Sequence, residues 1–193
     1  MRARSAAVSV TSTAANYLLI HAVPDHKGAC QAIDFNLLAA HQHRPMISVY
    51  GTSVSLSGEG VLLRGPSGSG KSDLALRLIE EGAVLIADDQ TVLSPDGPAL
   101  MMSAPAELAG LLEVRGLGII RVPRVTRARL RLVFDLVPER EIERLPEPRS
   151  VTFAGVAVPL LALAPAAASA TARLRLALRA LEAPPVVGAL AAS

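Results

Sequence analysis

Gly65-Pro66-Ser67-Gly68-Ser69-Gly70-Lys71-Ser72 places glycines, one lysine and one hydroxyl at the spacing G-x-x-x-x-G-K-[ST]. Glycines let the backbone turn so that successive N–H groups converge on phosphate oxygens. A helix starting behind them would add its unbonded N–H groups and the positive end of its dipole. Lys71 can then reach β- and γ-phosphates as a mobile charge, and the Ser72 hydroxyl can ligate Mg²⁺. Of 17 arginines and two lysines in the chain, one lysine falls where this loop requires it. Nucleotide binding is the chemistry this stretch implies.

Leu85-Ile86-Ala87-Asp88-Asp89 is an apolar strand ending in two carboxylates. In an open α/β sheet its end would lie beside the phosphates. One carboxylate can hold Mg²⁺ and the other can accept a proton from an attacking hydroxyl. Neighbours on a strand alternate, so the two side chains are expected to point apart. Carboxylates must carry any acid–base chemistry here, because every histidine (His21, His26, His41, His43) and Cys30 precede residue 46. Further on, Leu112-Glu113-Val114-Arg115-Gly116-Leu117-Gly118-Ile119-Ile120 puts Glu113 and Arg115 on one face of an extended segment.

The elements that must hold these residues can be read from periodicity. Ile47–Leu56 and Val61–Leu63 read as strands around a Ser57–Gly60 turn, and Asp73–Glu81 as a helix stopped by Gly82. Ala83–Ala87 reads as a buried central strand. Thr91–Leu93 and Ala99–Met102 read as strands about a Ser94–Gly97 turn, with a short helix after Pro105. Val125–Leu136 alternates, with Arg127, Arg129 and Arg131 opposite Ala128, Leu130, Leu132 and Phe134. Ala166–Leu181 reads as a helix with Leu174, Leu178 and Leu181 on one side. Strands and helices mixed in this order imply an α/β domain.

Composition narrows the classes. The chain has 193 residues, 51% hydrophobic and 19% charged, with a net charge of +2 and no Trp. The charge balance argues against a disordered chain, and with so few aromatics it argues against nucleic-acid binding. One cysteine can form no internal disulfide, which fits a reducing, cytoplasmic setting. Residues 1–45 lack a sustained period and read as a disordered or untranslated extension; residues 46–193 read as one catalytic domain. Val151–Ala172 is uncharged and long enough to span a bilayer, but Pro159, Pro165 and strand-like alternation around Gly155 point to a buried hairpin entering a helix. No membrane association is expected.

The loop GPSGSGKSD, the strand LIADD and the segment LLEVRGLGII together resemble the HPr kinase/phosphorylase family, over roughly Ile47–Ile120. The resemblance implies a P-loop kinase domain of the phosphoenolpyruvate-carboxykinase-like type, in a short form limited to the catalytic domain. It implies an ATP- and Mg²⁺-dependent serine kinase acting on the phosphocarrier protein HPr, reversible with inorganic phosphate and assembled as a hexamer. By the same resemblance Lys71 binds phosphate, Ser72 and Glu113 hold the metal, Asp89 supported by Asp88 is the base, and Arg144 in Ile142-Glu143-Arg144-Leu145 is the catalytic arginine. The chain departs from the family in two places. Tyr50 stands where members carry a histidine, and Pro159-Leu160-Leu161-Ala162 replaces a basic loop tied to the reverse reaction. Two other readings follow from the residues. One is a small-molecule kinase with Arg140, Arg144 and Arg149 in a lid; the other is a nucleotide-sensing module without turnover.

Overall fold

A computed structural model describes residues 46–182; the predicted extension over residues 1–45 lies outside them, as do residues 183–193. Eleven strands and two α-helices make up this stretch, one helix after the third strand and one after the last. The strands are β1 (Ile47–Tyr50), β2 (Thr52–Leu56), β3 (Glu59–Arg64), β4 (Val84–Ala87), β5 (Gln90–Asp96), β6 (Ala99–Ser103), β7 (Leu111–Val114), β8 (Gly118–Arg121), β9 (Ala128–Leu136), β10 (Ser150–Phe153) and β11 (Val156–Leu163). The helices are α1 (Lys71–Glu80) and α2 (Ala170–Ala180), and single 3-10 turns occupy Ala106–Leu108 and Glu139–Glu141.

The main sheet runs β1-β5-β6-β9-β3-β2-β4, and β11 joins it through β9. β3, β9 and β11 are mutually parallel, whereas the other neighbours are antiparallel. β9 is the hub: β3 follows it along one edge, while β6 pairs with its start and β11 with its end. β2 lies between β3 and β4 and is antiparallel to both, so β3 and β4 point the same way. The phosphate-loop segment after β3 and the two aspartates after β4 therefore emerge at one end of the sheet. β7 and β8 form a separate two-stranded ribbon.

Periodicity predicts one strand over Ile47–Leu56, but the structure divides it at Gly51. β1 pairs with β5, while β2 pairs with β3 and β4. A Cβ at Gly51 would stand 2.6 Å from the Leu63 carbonyl oxygen and 3.0 Å from Leu62 Cδ1, so the chain can cross here only as glycine. The alternation expected over Val125–Leu136 also breaks. Gly60 faces Leu130 but Val61 faces Leu132, so Arg131 is an extra residue in β9. This bulge reverses the side-chain phase. Ala128 and Leu130 pack with Leu62, Leu93 and Met102, whereas Leu132 and Phe134 pack under the helices with Leu74, Leu78 and Leu174.

β4 is an end strand of the hydrogen-bonded path rather than a central one. Its Leu85, Ile86 and Ala87 are nevertheless fully buried. The Val125 N–H bonds to the Leu85 carbonyl at 2.9 Å, so a passing segment covers the open edge. The uncharged stretch from Val151 becomes the β10–β11 hairpin, turned by Ala154 and Gly155, both at positive φ, and then α2. No helix of the described residues is long and apolar enough to cross a membrane.

α1 buries Leu74, Ala75 and Leu78 and stops where Gly82, at φ +93°, lets its own N–H bond Ile79 and the Ala83 N–H bond Leu78. The predicted helix over Ala166–Leu181 begins later, at Ala170, because the residues after Pro165 form turns. α2 is tied to the end of α1 through Glu81, which accepts from Thr171 Oγ1 at 2.8 Å and Arg175 Nε at 3.1 Å. The Thr171 hydroxyl, followed by Arg175, holds the Glu81 carboxyl below the usual glutamate range.

Two outcomes follow. Because the lowered titration favours the charged carboxylate in the fold, this tie is fully present above the ordinary glutamate range and fades as pH falls through the lowered midpoint. Carboxyl NMR should find Glu81 titrating below an ordinary glutamate, and Thr171→Val should raise its midpoint. Gly51→Ala should lose about 1–3 kcal/mol in urea unfolding, the range for overpacking against a fixed neighbour.

Candidate active site

The loop between β3 and α1 is fixed at both ends. Arg64, the last residue of β3, grips Asp135 of β9 in a fork, Nε to Oδ1 at 2.9 Å and Nη2 to Oδ2 at 3.0 Å. Gly70 precedes α1 in the left-handed region at φ +87°, and Gly68 stands at φ +78°. No side chain caps α1, which leaves its first N–H groups facing the loop. The Lys71 ammonium donates to the Gly65 and Pro66 carbonyls at 3.0 and 2.9 Å, so it lies along the loop it serves.

This loop forms one wall of a cleft of about 670 Å³. The lining is completed by Tyr50 at the end of β1, Asp89 after β4, Glu113 in β7 and Arg115 in the ribbon's turn. Arg115 belongs to that turn rather than to an extended face shared with Glu113.

The two aspartates do separate, but beyond the end of β4 and through a left-handed turn at Asp89 rather than by strand alternation. Asp88 is 6% exposed and lies under the cleft floor. Its Oδ1 accepts from Thr52 Oγ1 at 2.7 Å and Ser72 Oγ at 3.0 Å, and its Oδ2 from the Glu113 N–H at 3.0 Å. Thus β2, α1 and β7 all fasten to one carboxylate. Asp89 is exposed into the cleft. It sits at φ +59° in a tight turn closed by the Gln90 N–H on the Asp88 carbonyl at 2.7 Å. The Gly51 N–H holds the Asp89 carbonyl at 2.9 Å, and the Gly51 carbonyl is held in turn by Thr91 Oγ1 at 3.1 Å.

The structure thus gathers Gly65, Pro66, Ser67, Gly68, Gly70, Lys71, Ser72, Asp89 and Glu113 around one cleft, with Asp88 beneath it. Ser69 is part of the loop but turns inward: its hydroxyl oxygen is buried without a hydrogen-bond partner. Arg144 is not brought in. It is exposed, stands outside the cleft lining, and makes no hydrogen bond or ion pair among the described residues. The segment between β9 and β10 has only the Glu139–Glu141 turn to order it, and nothing there fastens Arg144 towards the loop. Thr52 is a residue that periodicity passes over. In a strand that alternates hydroxyls with apolar residues, one more hydroxyl gives no signal until it is seen to reach Asp88.

Three comparisons bear on this arrangement. The sequence is 38% identical to the HPr kinase/phosphorylase of Chloroherpeton thalassium over 135 residues, which is 64% of this chain and 38% of that one. It is 41% identical to the HPr kinase/phosphorylase of Geobacillus kaustophilus over 112 residues, covering 52% of this chain and 36% of that one. The chain thus spans about two fifths of the length of the curated relatives it matches. The fold superposes on the HPr(Ser) kinase/phosphatase of Coxiella burnetii with a TM-score of 0.64 and 24% identity, covering 71% of this chain and 97% of that one. This fold is the P-loop kinase architecture that the resemblance implied. The model for the HPr Serine kinase C-terminal domain matches residues 41–167, well over half the chain and the whole of the cleft, and the chain therefore belongs to that family.

Proposed function

We propose that the cleft transfers the γ-phosphoryl group of ATP to a serine hydroxyl of the phosphocarrier protein HPr, the protein named in its relatives. The carrying observation is the division of the two carboxylates: Asp88 buried against the Ser72 hydroxyl, Asp89 exposed in the same cleft as the loop.

The donor set suits Mg²⁺. Among the described residues no three His, Cys, Asp or Glu side chains cluster to enclose a metal, whereas Mg²⁺ prefers one or two carboxylates together with phosphate oxygens. Ser72 and Asp88, with Glu113 beside them, provide that partial set at the loop's edge. When bound, the ion would neutralise charge accumulating on the transferring phosphoryl oxygens.

The remaining work falls to this chain's own groups. The amides of Gly65–Ser72 and the Lys71 ammonium hold the phosphates, so Lys71 leaves the Gly65 and Pro66 carbonyls for the anion. Asp89 takes the proton from the serine Oγ as that oxygen bonds the γ-phosphorus, and the bond to the bridging oxygen breaks to release ADP. Tyr50 flanks Asp89 at the cleft wall and is 84% exposed, so the incoming acceptor meets a phenol. Arg144 has no part in this scheme as the segment stands. ATP, Mg²⁺, an HPr acceptor, hexameric assembly and a cytoplasmic setting form one consistent reading; the reverse reaction would have to run without a histidine at Tyr50 or a basic loop at Pro159–Ala162.

Phosphate transfer from radiolabelled ATP to purified HPr tests this. Lys71→Ala and Asp89→Asn should each lower the rate on the order of 10²-fold or more. Asp89→Asn should retain nucleotide binding, because its side chain does not cradle phosphate. Full activity in Asp89→Asn would remove Asp89 as the base, and tight ATP binding without transfer to any protein would favour a sensing module.

A further inference from the structure

Asp88 is held on both sides. Ser72 donates to it from the cleft at 3.0 Å, and Thr52 donates from underneath at 2.7 Å, the shortest contact this carboxylate makes. Thr52 itself has no exposed surface. It follows Gly51, where the chain leaves the β1 pairing and enters β2, so the residue is locked by the strand crossing. A hydroxyl buried in a strand flanked on both edges would be costly without a partner. Its partner is a carboxylate oxygen that also engages the metal-side hydroxyl of the loop.

Resting on the phosphoryl-transfer reading above, we propose that Thr52 is a positioning residue for the divalent cation. Its hydroxyl occupies one lone pair of Asp88 Oδ1 and the Glu113 N–H one lone pair of Oδ2, which fixes the carboxylate's rotation. With that rotation set, the Ser72 O–H points back to Asp88 and the free lone pairs of Ser72 Oγ face the cleft. Without the Thr52 donor the carboxylate can turn, and Ser72 loses its fixed acceptor. The effect belongs to metal-assisted nucleotide binding and not to the phosphate cradle, because no loop amide contacts Thr52. Thr91 shares the buried polar layer but serves the other aspartate, through the Gly51 carbonyl. The two hydroxyls thus serve different aspartates, Thr52 the carboxylate of Asp88 and Thr91 the backbone at Asp89.

The test is calorimetric titration of the full chain with ADP, in Mg²⁺ and in EDTA. Wild type should bind ADP more tightly in Mg²⁺. Thr52→Val, which keeps the branched shape and removes the donor, should reduce that Mg²⁺-dependent gain about tenfold or more, as outer-sphere partners of metal ligands do, and leave affinity in EDTA unchanged. Thr52→Ser should restore the gain. In an Asp88→Asn background, Thr52→Val should bring no further loss. Thermal unfolding identifies folded variants, and Thr52→Ala replaces the valine variant if that one does not fold. A Mg²⁺-dependent gain equal to wild type in the variant lacking the hydroxyl overturns the proposal, as does equal weakening in EDTA. If wild type binds ADP in neither condition, the phosphoryl-transfer reading itself fails. If it binds ADP but the variants do not differ, only the role of Thr52 fails.

Discussion

A carboxylate removed from water needs donors around it, and the arrangement of this domain follows from that need at Asp88. One donor comes from β2, one from the start of α1 and one from the backbone of β7, elements distant in sequence. None can move without leaving a buried negative oxygen short of a partner. The insertion of β2 between β3 and β4 brings the donors together. It separates the strand that launches the phosphate loop from the strand that ends in the aspartates, while keeping their ends level.

The neighbouring carboxylate is treated in the opposite way. Asp89 has no side-chain restraint and faces solvent, but its backbone is held in a left-handed conformation that costs on the order of 1–3 kcal/mol. The turn persists because the Gly51 and Gln90 amides bond carbonyls on either side of it. Ser53 and Thr91, buried and 2.9 Å apart, stiffen the strands from which those amides project. Rigid backbone under a free carboxylate suits a group that must meet an incoming proton at a fixed position.

The two aspartates part at a left-handed turn beyond β4, which alternation does not describe. Local spacing, by contrast, carried the loop, α1 and the apolar strand before Asp88, because each depends on residues adjacent in sequence. It also carried the hairpin hidden in the uncharged Val151–Ala172 stretch. The bulge at Arg131 was not legible: an extra residue leaves apolar alternation intact on paper while reversing which core it feeds. The break at Gly51 was hidden for a related reason, since its cause is the Leu63 carbonyl on another strand. Burial of β4 at a sheet end depends on the Val125 amide, which no pattern within Leu85–Ala87 reveals. Arg144 lies outside the cleft lining, and the short context around it carries no signal for the course of the segment between β9 and β10.

The parallel pairing of β3 with β9 has a consequence for biosynthesis. A ribosome delivers the complete glycine-rich loop and both aspartates long before it delivers Ala128–Leu136. Until then β3 has a partner on one edge only, and Arg64 lacks Asp135. A nascent chain carrying every signature residue would therefore make a poor trap for nucleotides, and competence would arrive late, when the second half of the polypeptide closes the sheet.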